Sequence, residues 1–262
     1  MKILYISKSI LPSKTANSIH VMKMCQAFAD NGNEVILLAP DIKEKEVYEK
    51  EFYGVKKNFK IKKLWHPNFK IGALFYALGI FFYLLVNTKF SLVYGRFLHG
   101  CFIAALLKKV VIFETHNPIH NFKDHRIKVF NKLIKNKYFK KLVVISSALK
   151  NSYLDKGYLN KDKILVAHDG ADNVEDFNSK ISLLGDKNTL KIGYVGHLYK
   201  GRGIELIIEC AKQIKDLTFH IVGGMRNDID HWQKYSKNLN VSNIYFYGVV
   251  PPKTVANYQN SF

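Results

Sequence analysis

The sequence predicts an α/β protein made of two doubly wound parallel-sheet domains, the second incomplete. Three observations lead there. Short, near-continuous apolar runs recur along the chain, as in strands covered on both faces. Helical patterns alternate with them, which makes successive strands parallel and their crossovers right-handed. The alternation fades into polar and acidic residues from Ala171 to Asn188 and then restarts. The expected organisation is therefore a domain over 1–170, a linker over 171–189 and a partial domain over 190–262.

The first strand is KILYIS, residues 2–7. The N-terminal stretch MKILYISKSILPSK has an apolar run too short and too interrupted for a signal peptide, with no small-residue cleavage site. A helix follows from about Ser18 to Asn31, with Val21, Met24, Cys25 and Phe28 on one face and Gly32 as its stop. EVILLA (34–39) and KIKKLWH (60–66) are the next strands. IGALFYALGIFFYLLV (71–86) carries no charge over 16 residues. That is short of the roughly 20 needed to span a bilayer, so a buried helix is predicted. The alternative is a helix lying on a membrane, since Lys56, Lys57, Lys60, Lys62, Lys63, Lys70 and Lys89 flank it. Then come strand 90–96, helix 98–108, strand 110–116 (VVIFETH), a basic helix 123–139, strand 141–146, a short helix, and strand 163–170. The second series has strand 190–196, helix 203–215, strand 217–224, helix 229–237 and strand 243–248, then the start of a further helix.

The composition is that of a folding chain, 48% hydrophobic and 23% charged. Forty Lys and Arg against 21 Asp and Glu give a net charge of +19. The excess points to anionic partners, or to a lysine-rich solvated surface. Cys25, Cys101 and Cys210 form no CxxC or Cys/His cluster, so they read as buried free thiols and no metal site is expected.

GHLYKGRG (196–203) joins a strand to a helical pattern. It comes near the G-x4-G-K-[ST] phosphate loop. Arg202 replaces the lysine, however, and Gly203 replaces the hydroxyl that would hold Mg²⁺, which argues against a Mg-dependent NTPase. The spacing is not G-x-G-x-x-G either. What remains is a loop whose backbone can approach an anion, with Arg202 offering paired hydrogen bonds to phosphate and Lys200 a second charge, or else an ordinary strand-to-helix turn. Polar residues also gather at strand ends: the 7–18 stretch, Arg96, Glu114, His116, Ser146, Ser147 and Asp169. Open α/β sheets bind ligands beyond those ends. Taken singly, a strand-end histidine reads as a structural hydrogen-bonding residue.

In order along the chain, GNEVILLAP, ETHNP, VVISSALKNSYLDKGYLNKDKILVAHDGAD, GYVGHLYKGRGIELIIECA, FHIVGG and NIYFYGVVPPKTVANYQNS resemble glycosyltransferase family 4. The resemblance implies the GT-B fold, two Rossmann-like domains of which the first binds acceptor and the second a nucleotide-sugar. It implies retaining transfer without a metal or other cofactor. The acceptor would be a cell-surface polysaccharide or glycolipid, of the lipopolysaccharide kind. The protein would be cytoplasmic and peripheral on the inner membrane face, with an anionic membrane surface as partner. No nucleic-acid module is recognised.

Residue by residue, the resemblance assigns the donor diphosphate to Gly196, His197, Arg202 and Gly203, with His197 standing where arginine is more usual. It assigns a catalytic place near the donor sugar to His116. The family's first loop falls on Asn17, Ser18 and His20, and its N-G-V-D junction on Asp169, Gly170, Ala171 and Asp172. With strand-end Arg96, these give Asn17, Ser18, His20, Arg96 and Asp169 as acceptor or cleft residues. The family's Glu-x7-Glu grip on the donor has no counterpart, since no two glutamates here have that spacing. The alternative expectation is thus a truncated, inactive remnant or half of a split enzyme that binds anionic membranes, labile after Ala171.

Overall fold

A computed structural model of the chain describes residues 1–42, 49–69, 71–171, 179–186 and 188–262. Lys70, Asp172 and most of the expected linker (172–178 and 187) lie outside the described residues. The chain divides into two units, Met1–Ala171 and Asp172–Phe262.

The first unit is a seven-stranded sheet in the order β3-β2-β1-β4-β5-β6-β7. Its strands are β1 (Lys2–Ile6), β2 (Glu34–Asp41), β3 (Lys60–Trp65), β4 (Leu92–Gly95), β5 (Val111–Thr115), β6 (Phe139–Val144) and β7 (Ile164–Val166). Every neighbouring pair is parallel. The chain starts in the middle of the sheet and walks outward to β3. It then returns to the other side of β1 with β4, and this reversal opens a crevice at the C-terminal ends of β1 and β4.

Alternate side chains explain the near-continuous apolar runs. Ile3 and Tyr5 of β1 join a core with Val21, Met22 and Cys25 of α1 (Ala16–Asp30) and Tyr53 of α2 (Glu49–Tyr53). Leu4 and Ile6 join the opposite core, with residues of α3 (Gly72–Val86), α4 (Leu98–Leu106), α5 (Asp124–Ile134) and α6 (Ser147–Leu154). α5 stops five residues short of the predicted 139. There Asn136 turns the chain, its Oδ1 accepting from the Tyr138 N–H at 2.9 Å and its carbonyl from the Phe139 N–H at 3.0 Å.

The 71–86 helix departs from the buried helix that was expected. Tyr76, Ala77, Ile80 and Leu84 face the core, while Leu74, Leu78, Phe82, Leu85 and Val86 are exposed. Among the described residues no helix is long and apolar enough to cross a membrane.

The second unit is a parallel sheet in the order β10-β9-β8, from β8 (Lys191–Val195), β9 (Thr218–Val222) and β10 (Ile244–Gly248). Ile204, Ile208 and Ala211 of α7 (Ile204–Gln213) and Trp232 of α8 (Arg226–Asn238) share one core with Phe219 and Ile221 of β9. The Trp232 Nε1–H donates to the Leu198 carbonyl at 2.6 Å, fixing the loop after β8 to α8. A short α9 (Val255–Gln259) follows β10. Residues 179–186 lie along this unit, with the Ile181 N–H on Ser261 Oγ at 2.7 Å and the Leu184 N–H on the Tyr247 hydroxyl at 2.9 Å.

Candidate functional site

The crevice of the first unit is organised around one buried carboxylate. Glu114, near the end of β5, is 3% exposed. Its Oε2 accepts from the Tyr94 hydroxyl of β4 at 2.8 Å and from the Tyr5 hydroxyl of β1 at 3.4 Å. Its Oε1 lies 2.7 Å from His116 Nε2, 2.8 Å from His20 Nε2 and 3.6 Å from Arg96 Nε. His20, on α1, also reaches Asp169, with Nδ1 3.5 Å from Oδ1. The two imidazoles meet edge to face with centroids 4.8 Å apart.

Burial alone would raise the Glu114 pKa. The hydrogen bond from His116, the close approach of His20 Nε2, and the charges of His20 and Arg96 outweigh it and hold the carboxyl well below the usual carboxylate range. Glu114 is therefore an ionised acceptor. Burial first, and the Glu114 charge second, push the hydroxyls of Tyr5 and Tyr94 up, so both stay protonated donors. An acceptor-only carboxylate fixes the His116 tautomer: Nε2 carries the hydrogen, and in the neutral ring Nδ1 is left with a lone pair. Arg96 Nη1 is buried with no hydrogen-bond partner among the described residues, a donor left over for a ligand.

Of the residues expected from sequence, His20, Arg96, His116 and Asp169 thus converge on one point. Asn17 lies in the first turn of α1, its amide donating to Ser9 Oγ on the loop after β1 at 2.5 Å. Ser18 does not present itself to a ligand. It is fully buried and its hydroxyl donates to the carbonyls of Ser13 and Thr15, both at 2.8 Å, so it shapes the start of α1. In the sequence Glu114 is one polar strand end among several. Its signal was a lone carboxylate inside an apolar run.

The second unit carries the glycine loop. Gly196 follows β8 and its N–H donates to the Val222 carbonyl at 3.0 Å. Beside it Gly223 has φ +114°, and a Cβ there would lie 2.1 Å from the Gly196 carbonyl oxygen. Only glycine lets the two strand ends approach so closely. Gly203, at φ +79°, stands at the N-cap of α7, where a residue with no side chain leaves the first N–H groups of the helix without a side-chain cap. The Arg202 guanidinium stacks on the Tyr199 ring at 4.7 Å, and the His197 ring lies 5.8 Å from the same ring. Arg202, Tyr199 and Lys200 are exposed. An uncapped helix N-terminus beside an arginine held on an aromatic face suits an anion. Glu205 in the first turn of α7 offsets part of that attraction.

The family model described as Glycosyltransferase Family 4 matches residues 18–174. An uncharacterized glycosyltransferase of Methanocaldococcus jannaschii is 27% identical over 264 residues, covering 88% of this chain. The chain spans 65% of that relative's length. Among solved structures, HepE of Anabaena in complex with UDP and glucose superposes with a TM-score of 0.69 at 14% identity, over 98% of this chain and 72% of its own. Sucrose-phosphate synthase from Thermosynechococcus elongatus gives 0.71 at 15% identity, over the same shares of 98% and 72%. At these identities the likeness shows the fold, which is the paired α/β construction of GT-B glycosyltransferases.

Proposed function

The chain belongs to glycosyltransferase family 4, and on that premise we propose that it serves the transfer of a sugar from a nucleoside diphosphate donor to a saccharide or lipid-linked acceptor. The observation that carries this reading is the ionised Glu114 at the strand-order reversal, holding His20, His116 and Arg96 around one crevice. Such a site offers fixed donors and acceptors to sugar hydroxyls. Arg96 Nη1 donates, and the His116 nitrogen turned away from Glu114 accepts. In the second unit Arg202 and the N-terminus of α7 hold the diphosphate and stabilise its charge as the bond to the sugar breaks. Retention at the anomeric carbon and independence of metal are expectations carried by the family resemblance.

A ligand that binds only the folded chain raises its stability, by about 2.7 kcal/mol at a hundred times its dissociation constant. A panel of UDP- and GDP-sugars should therefore contain at least one that raises the unfolding midpoint followed by Trp232 fluorescence in a Trp65→Phe background. A midpoint indifferent to every nucleotide-sugar speaks against the reading.

A membrane-borne acceptor is supported by the outer face of α3. Leu74, Leu78, Phe82 and Leu85 repeat at helical spacing and are 44–61% exposed, and Trp65 and Phe69 precede them at 62% and 54%. Lys56, Lys57, Lys60, Lys62 and Lys89 in the flanking sequence are exposed. Apolar anchors with flanking cations suit the anionic, cytoplasmic face of a membrane. Co-sedimentation with anionic vesicles should fall steeply with added salt, because exposed charges are screened beyond about 8–10 Å. It should fall again in a Leu78→Glu, Phe82→Glu double variant, whose side chains leave the core untouched. Binding that ignores salt, lipid charge and both substitutions would remove the membrane from the picture.

A further inference from the structure

We propose that His20, His116 and Asp169 form a binding site for a divalent transition-metal ion, zinc being the natural occupant. One ligand atom from each of the three lies within 4.8 Å of those from the other two. The case begins with Glu114. Its carboxylate takes the Nε2 side of His116 at 2.7 Å and faces Nε2 of His20 at 2.8 Å. A carboxylate behind each imidazole is the arrangement that orients metal-binding histidines and raises their basicity. Deeply buried, and held in turn by Tyr94 and Tyr5, this one is fixed in place.

The opposite side of His20 supplies the second argument. In the tautomer with hydrogen on Nε2, its Nδ1 is a lone pair 3.5 Å from Asp169 Oδ1; in the protonated ring Nδ1 donates there instead. Two acceptors at that distance repel unless a proton or a cation stands between them. Ligands of a tetrahedral zinc ion, each about 2.0–2.2 Å from the metal, stand about 3.3–3.6 Å from one another. The His20–Asp169 pair already has nearly that separation. The widest separation in the cluster closes by about 1.5 Å, within reach of a side-chain rotation of half-buried His116 or exposed Asp169. Two imidazoles and one carboxylate select Zn²⁺, Co²⁺ or Ni²⁺ over Mg²⁺ and Ca²⁺, which prefer oxygen. Three protein ligands also leave a fourth position open.

Binding of the ion does not depend on the transferase reading, but its consequence does. An ion held here occupies the groups that face the crevice, so it blocks sugar hydroxyls and regulates transfer without assisting it.

Zinc titration by calorimetry, and the visible spectrum of added Co²⁺, test the site on the whole chain after EDTA treatment and its removal. The wild type should take up one ion per chain, ignore Mg²⁺, and give a Co²⁺ spectrum of low-symmetry nitrogen and oxygen coordination. Asp169→Asn should weaken zinc more than tenfold; this side chain is 53% exposed, so the change spares the fold. His20→Gln should do the same, with thermal unfolding confirming that the variant is folded. Absence of stoichiometric zinc, or equal affinity in wild type, Asp169→Asn and His20→Gln, overturns the proposal. Nucleotide-sugar stabilisation measured in EDTA reports on the transferase reading alone, so the two can fail separately.

Discussion

Glu114→Leu is expected to destabilise the first unit by about 3–5 kcal/mol, the cost of removing one partner from a buried charged network. Leucine fills much the same space, but it leaves Arg96, His20, His116 and the hydroxyls of Tyr5 and Tyr94 around a site with no acceptor. Replacing a whole buried ion pair by apolar groups is often harmless; stranding its partners is not. In a unit of this size each kcal/mol moves the melting temperature by about 2–4 °C, so a drop of about 6–20 °C should appear by calorimetry. The pH dependence follows from the sign of the shift. The folded pKa of Glu114 lies below its ordinary value, so its contribution is complete above about pH 4.3 and is lost as the pH falls from there toward the folded value. The stability gap between wild type and Glu114→Leu should accordingly close on acidification below about pH 4.3. A gap of under about 3 °C at neutral pH would mean that the carboxylate is solvated or its partners find other acceptors.

Much of the fold was legible because a doubly wound sheet writes itself locally. Each strand is a short apolar run whose alternate residues serve opposite cores, as Ile3 and Tyr5 do on one side of β1 and Leu4 and Ile6 on the other. The restart at Leu190 was equally plain, since apolar strands resume after a polar stretch. Local pattern misled where an element has two environments. An uncharged run over 71–86 reads as buried all round, yet α3 turns Leu74, Leu78 and Phe82 outward. A hydroxyl that closes a turn, as in Ser18, looks the same in sequence as one offered to a ligand.

The site was legible only in part. Strand-end histidines and arginines could be picked out one by one. Their meeting could not, because residues 20, 96, 114, 116 and 169 are brought together by the order β1-β4-β5 and by the segment after β7. Glu114 was the hardest to value. A carboxylate in a strand is a penalty until its partners are known, and two of them are tyrosines that read as core.

Arg202 carries the second large effect. Its guanidinium is planar and always charged, and it rests on Tyr199 beside the open end of α7, so it is oriented before any ligand arrives. A charge-assisted bond to a diphosphate is worth about 1.5–3 kcal/mol, which is about a 10- to 150-fold change in affinity. Arg202→Lys should keep part of the attraction but lose the paired geometry, and so fall between wild type and Arg202→Ala. The residue is exposed and serves no core, so the substitutions should leave the melting temperature unchanged. Calorimetric titration of UDP and GDP into wild-type and Arg202→Ala protein is therefore the most direct measurement of whether the 196–203 loop holds a donor diphosphate. The expected result is saturable binding of at least one of the two by the wild type and about 10- to 150-fold weaker binding by the variant. Equal affinity in the two proteins, or no binding of either nucleotide by the wild type, would contradict it.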